Sequence, residues 1–113
     1  MIYRLNFHEF ILHKIREVSD DKLWMKDVSS WRVEYFGQVN QSVHKIASAL
    51  TKIGLKKGDV VCMYCSNYVD YWLVVLAAWT CGACIMPVNC ELEPNLLECQ
   101  LSSVNAKVRT SCK

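Results

Sequence analysis

The chain has 113 residues, 52% of them hydrophobic, with 4 Trp, 5 Tyr and 3 Phe. This length allows one small domain and excludes a large catalytic domain with an accessory one, and the high apolar fraction is consistent with a surface that awaits a missing partner. The 13 Lys and Arg are dispersed among 11 Asp and Glu without forming a basic stripe, which argues against a nucleic-acid partner.

Residues 1–35 predict a helix followed by a short hairpin. Apolar residues recur at spacings of three and four, as in an amphipathic helix from Phe7 to Val18; they are Phe7, Phe10, Ile11, Ile15 and Val18. After a break at Ser19–Asp21, residues 22–27 and 31–35 flank a short linker and suit two strands joined by a turn.

Residues 36–64 predict a long helix and a buried strand. The apolar positions of the helix from Phe36 to Ile53 keep to one face; they are Val39, Val43, Ile46, Ala47, Leu50 and Ile53. Gly54 is expected to end this helix as a left-handed cap, and the turn at residues 56–59 leads into an apolar strand at Val60–Tyr64.

The remaining segment repeats the alternation of helix and strand. Asn67 is expected to cap a helix that ends near Gly82, and an apolar strand follows at residues 84–88. Pro94 suits the first turn of a helix that continues to Leu101, and residues 106–110 resemble a third strand.

Apolar strands joined by helical crossovers pair in parallel, with helices over the faces of the sheet. We therefore predict an α/β fold: a partial three-layer sandwich with alternating βα units and a mainly parallel sheet, preceded by a helix and a short β-hairpin. Residues 1–113 then form a single partial domain, with the leading helix and hairpin in residues 1–35 and the βα units in residues 36–113.

The seven cysteines include two closely spaced pairs, Cys62 with Cys65 and Cys81 with Cys84, at a separation that suits a four-thiolate zinc site. Cys62 and Cys65, however, lie three apart in or at the end of a predicted strand, so their side chains face opposite ways. With an odd number of cysteines and no signal peptide in residues 1–10, we predict reduced thiols that pack as small apolar residues in a cytoplasmic protein.

The stretch from Tyr71 to Cys90 carries no formal charge and is long enough to cross a bilayer. Gly82, Pro87 and Asn89 divide it into a helix and a strand, and a lipid-exposed strand would leave its backbone groups unpaired. A buried helix and strand is therefore the favoured interpretation, and a membrane span is not expected.

Catalytic and nucleotide-binding patterns are missing from the sequence. The four glycines are isolated rather than gathered in a phosphate-binding loop, and each is expected in a turn or a helix cap. His8 and His13 are five residues apart on diverging helix faces, and with His44 they are interpreted as surface imidazoles rather than partners of a nucleophilic thiol. We assign no catalytic, cofactor-binding or metal-binding residue.

Several blocks in order and spacing resemble the start of the adenylate-forming (AMP-dependent synthetase/ligase) superfamily, which contains acyl-CoA synthetases, 4-coumarate-CoA ligases and firefly luciferase. The resemblance is good from about residue 30 onward, and residues 7–15 resemble the leading helix of the family. The blocks are Tyr35–Asn40, Ile46–Leu50, Ile53–Val61, Ser66–Asn67, Leu76–Asn89, Glu98–Leu101 and Ala106–Val108.

The resemblance implies a parent enzyme that activates a carboxylic acid, fatty or aryl, with ATP and magnesium and then transfers the acyl group to coenzyme A. The family's Ser/Thr/Gly-rich phosphate loop, its acidic pair near the ribose and its C-terminal lysine have no counterpart here. We therefore expect an N-terminal scaffold fragment, inactive alone and binding no cofactor itself, whose parent is cytoplasmic or peroxisomal and takes part in fatty acid metabolism.

Two alternatives remain. One is a stand-alone interaction module that pairs with a full-length ligase, for instance a paralogue, through an unmatched sheet edge and an exposed apolar face. The other is a small membrane-anchored protein that uses residues 71–90 as its anchor.

Overall fold

The computed structural model describes residues 6–64, 69–88, 93–96, 98–99 and 106–111. Helices and strands alternate as the sequence predicts. The helices are α1 (Phe7–Arg16), α2 (Phe36–Lys52) and α3 (Val69–Thr80), and the strands are β1 (Leu23–Lys26), β2 (Val33–Tyr35), β3 (Val60–Tyr64), β4 (Cys84–Val88) and β5 (Val108–Ser111).

The leading helix α1 buries part of the apolar stripe that the sequence indicates, together with one residue outside that stripe. Its buried residues are Leu12 and Ile15, whereas Phe7 is 64% exposed. The predicted apolar stripe was therefore wrong in part, because it omitted Leu12. Leu12 and Ile15 belong to the same core cluster as residues of α2 and α3, and the partly buried Ile11 packs against that cluster.

Strands β1 and β2 pair antiparallel, which confirms the predicted hairpin. Its turn is organised by Asp27, whose Oδ1 accepts hydrogen bonds from the backbone N–H of Ser29 at 3.1 Å and from the Ser29 hydroxyl at 2.8 Å. These bonds to the ionised carboxylate, led by that from the Ser29 hydroxyl, lower the pKa of Asp27. The turn brings β2 back beside β1 and leads directly into α2.

Helices α2 and α3 end in the same way. The N–H of Gly54 bonds to the carbonyl of Thr51, and the N–H of Leu55 bonds to that of Leu50, which is the Schellman arrangement. Gly54 has φ of 98° and Gly82, which closes α3, has φ of 79°. Both predicted glycine caps are confirmed. Glycine suits these two positions because it adopts a positive φ without steric cost. Ile53, predicted on the buried face of α2, is 63% exposed.

The main sheet has the strand order β4-β3-β5, and both described pairings are parallel. Val61 and Met63 of β3 point to the core shared with the helices, and Cys62 between them points to the opposite face. Helix α3 buries seven of its twelve residues, in keeping with its mostly apolar sequence. The predicted α/β fold with a mainly parallel sheet is confirmed.

The handedness of the connections explains where the third layer lies. The connection from β3 to β4 crosses the sheet in one direction, and the connection from β4 to β5 crosses it in the other, past β3. Because both connections are expected to be right-handed, they lie on opposite faces of the sheet. Residues 94–96 and 98–99 are helical, and Glu98 forms an ion pair of 3.0 Å with Arg109. Arg109 pairs with Cys62 in register and so shares its face, away from α2 and α3.

Some predicted features lie outside the described residues, namely the Asn67 cap, the end of the last helix at Leu101, and Cys65, Cys90 and Cys112. In the part of the chain that is described, no helix has the length and apolar character needed to cross a membrane.

Candidate functional site

Cys62 and Cys81, one from each of the two closely spaced pairs, lie on opposite sides of the sheet. Cys62 is fully buried on the face of β3 that turns away from α2 and α3. Cys81 lies on the helical side, where its Sγ is 3.6 Å from the carbonyl oxygen of Ala47. Among residues 6–64, 69–88 and the shorter described segments, no three His, Cys, Asp or Glu side chains are grouped to hold a metal ion.

The three histidines line one cavity. His8, His13 and His44 all line a cavity of about 440 Å³ between α1 and α2. His13 and His44 are exposed, as predicted, whereas His8 is partly buried. No cysteine lines this cavity among the described residues, so the structure places no thiol beside these imidazoles.

The N-terminus of α2 does not offer a free cradle for a phosphate group. The N–H of Tyr35 donates to the side-chain oxygen of Gln38, and that of Phe36 donates to the carbonyl of Lys22. The N–H of Gly37 donates to the carbonyl of Asp20. Helix N-termini bind phosphate through unpaired N–H groups, and these are already occupied.

The sequence predicted Gly37 in a turn or a helix cap, and this prediction was wrong. Gly37 lies inside the first turn of α2. A Cβ atom at this position would lie 2.7 Å from the Cβ of Asp20. Glycine is therefore needed for close approach of the chain, and it fixes the segment before the hairpin against α2.

A buried carboxylate joins the hairpin to the helices. Glu34 on β2 is 3% exposed, and its two oxygens accept hydrogen bonds from Ser42 at 2.6 Å and from Arg32 at 3.2 Å. Arg32 also donates to Asp70 on α3 at 2.8 Å. The bond to Asp70 is the main reason that the pKa of Arg32 is raised, with Glu34 adding to it. This network fixes β2 between α2 and α3.

A second candidate site is an apolar cleft between α1, the hairpin and α3, with a volume of about 530 Å³. We call it the α1–α3 cleft. Six aromatic side chains line it, and Lys14 on α1 is the only charged side chain among its lining residues. The aromatic residues are Phe7, Phe10, Trp24, Phe36, Trp72 and Trp79. The sequence signal for this cleft was the excess of apolar and aromatic residues for a small domain.

Within the cleft, the rings are held at defined angles. Phe7 and Trp79 meet edge to face, with ring centroids 5.4 Å apart and planes at 67°. The Nζ of Lys14 lies 5.6 Å from the centroid of the Phe10 ring. The arrangement can bind an apolar body.

The two edges of the main sheet differ. Pro87 lies in the edge strand β4, and proline lacks the N–H that a further strand would need. On β5, the N–H of Lys107 bonds back to β3, so the N–H groups of Val108 and Thr110 point to the outer edge. Among the described residues, no strand covers that edge.

Comparison with known proteins decides the family. The sequence profile described as AMP-binding enzyme matches residues 15–110, which is most of the chain. The chain belongs to the AMP-binding enzyme family. This confirms the resemblance to adenylate-forming ligases and agrees with the parallel βα units described above.

Relatives show how much of a complete enzyme the chain represents. It is 28% identical over 86 residues to 4-coumarate--CoA ligase-like 1 of Arabidopsis thaliana, covering 76% of this chain and 16% of that protein. It is 36% identical over 72 residues to the mitochondrial medium-chain acyl-CoA ligase ACSF2 of Mus musculus, covering 64% of this chain and 12% of the relative. The chain therefore spans less than a fifth of the length of these curated relatives.

A solved structure supports the fold. The N-terminal domain of FACL13 from Mycobacterium tuberculosis superposes with a TM-score of 0.86 and 24% identity, covering 95% of this chain and 27% of that one. At this identity the likeness establishes the fold alone. The superposition also includes residues before residue 15, where the match to the family profile begins.

Proposed function

We propose that this chain is the N-terminal scaffold of an AMP-forming acyl-CoA or aryl-CoA ligase and that it catalyses no adenylation by itself. The observation that carries the proposal is the family match over residues 15–110 combined with the small share of each relative that the chain covers. Residues 1–113 would form one partial domain, with residues 1–35 as the leading helix and hairpin and residues 36–113 as the βα units. The complete enzyme would lie in the cytoplasm or the peroxisome.

The chemistry of the described residues supports this role. Adenylate formation needs donors and a metal ion placed around the phosphates before the reaction. The N-terminal N–H groups of α2 are already paired, and the α1–α3 cleft is lined almost entirely by apolar side chains. Neither of these two described places fits ATP, magnesium or coenzyme A, and we assign none of the described residues a catalytic, cofactor-binding or metal-binding role.

The experiment is acid-dependent exchange of radioactive pyrophosphate into ATP by the purified 113-residue chain. The acids are a medium-chain fatty acid and 4-coumarate, chosen because relatives are named for them. We expect no exchange above the acid-free blank, with a full-length 4-coumarate-CoA ligase as the positive control. Exchange that depends on the acid and survives further purification of the chain would refute the proposed inactivity.

A second candidate function, an interaction module that pairs with the remainder of a ligase, is favoured by the uncovered edge of β5. A ligase relative that lacks the segment matched by this chain is the partner to test. The chain should bind it and restore exchange activity. Thr110→Pro should weaken the association, since this position directs its N–H outward, whereas Thr110→Val, which keeps the N–H, should not. Equal binding by both variants would exclude β5 as the contact.

A further inference from the structure

The α1–α3 cleft is lined by a face of α1 that the core covers only in part. Five apolar residues of α1 and the segment after it line the cleft, and of these only Ile15 is buried. Phe7, at the start of the helix, is 64% exposed. Leaving large apolar side chains in contact with water costs free energy that burial would recover, so this face is suited to a bound apolar molecule.

The size and lining of the cleft match a site for a small ligand. Its volume of about 530 Å³ lies within the range of roughly 300 to 1,000 Å³ that is typical of ligand pockets. Such pockets are lined mainly by apolar and aromatic side chains, with a few polar groups that fix the orientation of the ligand. Trp72 and Trp79, seven residues apart on α3, form one wall, and Trp24 from β1 contributes another.

The charge of the cleft sets the polarity of its ligand. Among the described residues that line it, Lys14 is the only charged one. The Lys14 Nζ lies 3.5 Å from Glu17 Oε2, but both side chains are about half exposed, so this pair contributes little and does not fix the ammonium. An ammonium at the edge of an apolar cleft attracts a single anionic group while the rest of the ligand contacts the aromatic rings.

We propose that the α1–α3 cleft binds a monoanionic amphiphile, with its apolar body between α1, β1 and α3 and its anionic head at Lys14. The shared chemistry is an elongated apolar chain with one carboxylate or phosphate. This proposal does not rest on the proposed function, because no catalytic step is involved and the residues of the cleft are all in the described part of the chain.

Tryptophan fluorescence reports on the cleft directly. Three of the four tryptophans line it, and the fourth, Trp31, is 68% exposed outside it. A Trp31→Phe chain is titrated with dodecanoate, dodecyl phosphate, dodecyltrimethylammonium and decyl maltoside, each below its micelle concentration. We expect a saturable change in fluorescence with the two anions and weaker binding of the cation and the neutral detergent. The two anionic arms decide between a carboxylate and a phosphate head.

Substitutions separate the head-group contact from the apolar contact. Lys14→Met should weaken anion binding by about three- to fivefold and leave the neutral detergent unaffected, and Lys45→Met on the exposed side of α2 is the matched control. Phe7→Glu adds a negative charge at the exposed start of α1 and should weaken the binding of the anionic probes more than Lys14→Met does. Circular dichroism checks that each variant keeps its helices.

Three outcomes would overturn the proposal. One is no saturable response to either anion, and another is equal affinity for the cationic and anionic probes. The third is a fluorescence change that requires association of two chains, seen as a dependence on protein concentration and as a dimer in sedimentation. That result would make the cleft a contact between protein chains instead of a site for a small ligand.

Discussion

Replacing Arg32 by methionine tests the energetics of the buried carboxylate of Glu34. The Glu34 side chain is 4% exposed, and its ionised form has two side-chain donors, the guanidinium of Arg32 at 3.2 Å and the hydroxyl of Ser42 at 2.6 Å. The Arg32→Met substitution preserves much of the apolar stem but leaves the anion with the hydroxyl alone. The buried carboxylate then has no cation beside it, which costs free energy.

The size of the effect follows from the exposure of each partner. Breaking a fully buried ion pair costs about 3 to 5 kcal/mol. Arg32 is 40% exposed, so water screens the site, and we expect a loss of about 1 to 3 kcal/mol in the free energy of unfolding. Asp70 is 52% exposed, so Asp70→Asn should cost less than about 1 kcal/mol.

Urea unfolding followed by fluorescence and circular dichroism measures both losses. The decisive variant is Arg32→Met combined with Glu34→Gln, which removes the cation and the charge together and should recover part of the single-variant loss. Lys45→Met serves as the surface control. The reasoning is refuted if Arg32→Met costs no more than Asp70→Asn, or if the double variant shows the simple sum of its two single losses.

Three further predictions concern other parts of the chain. Gly82→Ala should lower the urea midpoint more than Gly58→Ala, because both have positive φ but only at Gly82 would a Cβ meet a lysine side chain at 3.0 Å; equal midpoints would contradict this. Met63→Ala should cost about 2 to 5 kcal/mol in urea unfolding, since Met63 is 1% exposed, and a loss below about 1 kcal/mol would place Met63 outside the core. Peptide-mapped thiol labelling should modify Cys84 in the folded chain and Cys62 only after unfolding; equal labelling rates would contradict their placement.

The strands and helix ends could be read from the sequence because local chemistry determines them. The predicted limits of β3 and β4 agree with the structure, since each apolar run begins just after a turn or a glycine cap. The caps at Gly54 and Gly82 were predictable because few residues other than glycine end a helix in the left-handed conformation. The family resemblance rested on the order of these same blocks.

Features that depend on packing between elements could not be predicted in this way. The pattern of α1 did not reveal that Leu12 would be buried and Phe7 exposed, because the buried face depends on where α2 and α3 lie. Likewise, nothing local indicates that Glu34 would be buried, since its partner Ser42 lies on the next helix. The common cavity of the histidines also arises only when α1 packs beside α2.

The two surfaces that the structure leaves open are independent of each other. None of the residues lining the α1–α3 cleft belongs to β3, β4 or β5. Thr110→Pro at the outer edge of β5 should therefore leave the binding of an anionic amphiphile unchanged, and Lys14→Met should leave pairing with a ligase remainder unchanged. In a double variant, Lys14→Met should reduce only the binding of the amphiphile and Thr110→Pro only the pairing with the ligase remainder, which would mean that the scaffold has two separate contacts. If either substitution also reduces the other binding, the cleft and the sheet edge belong to one interface.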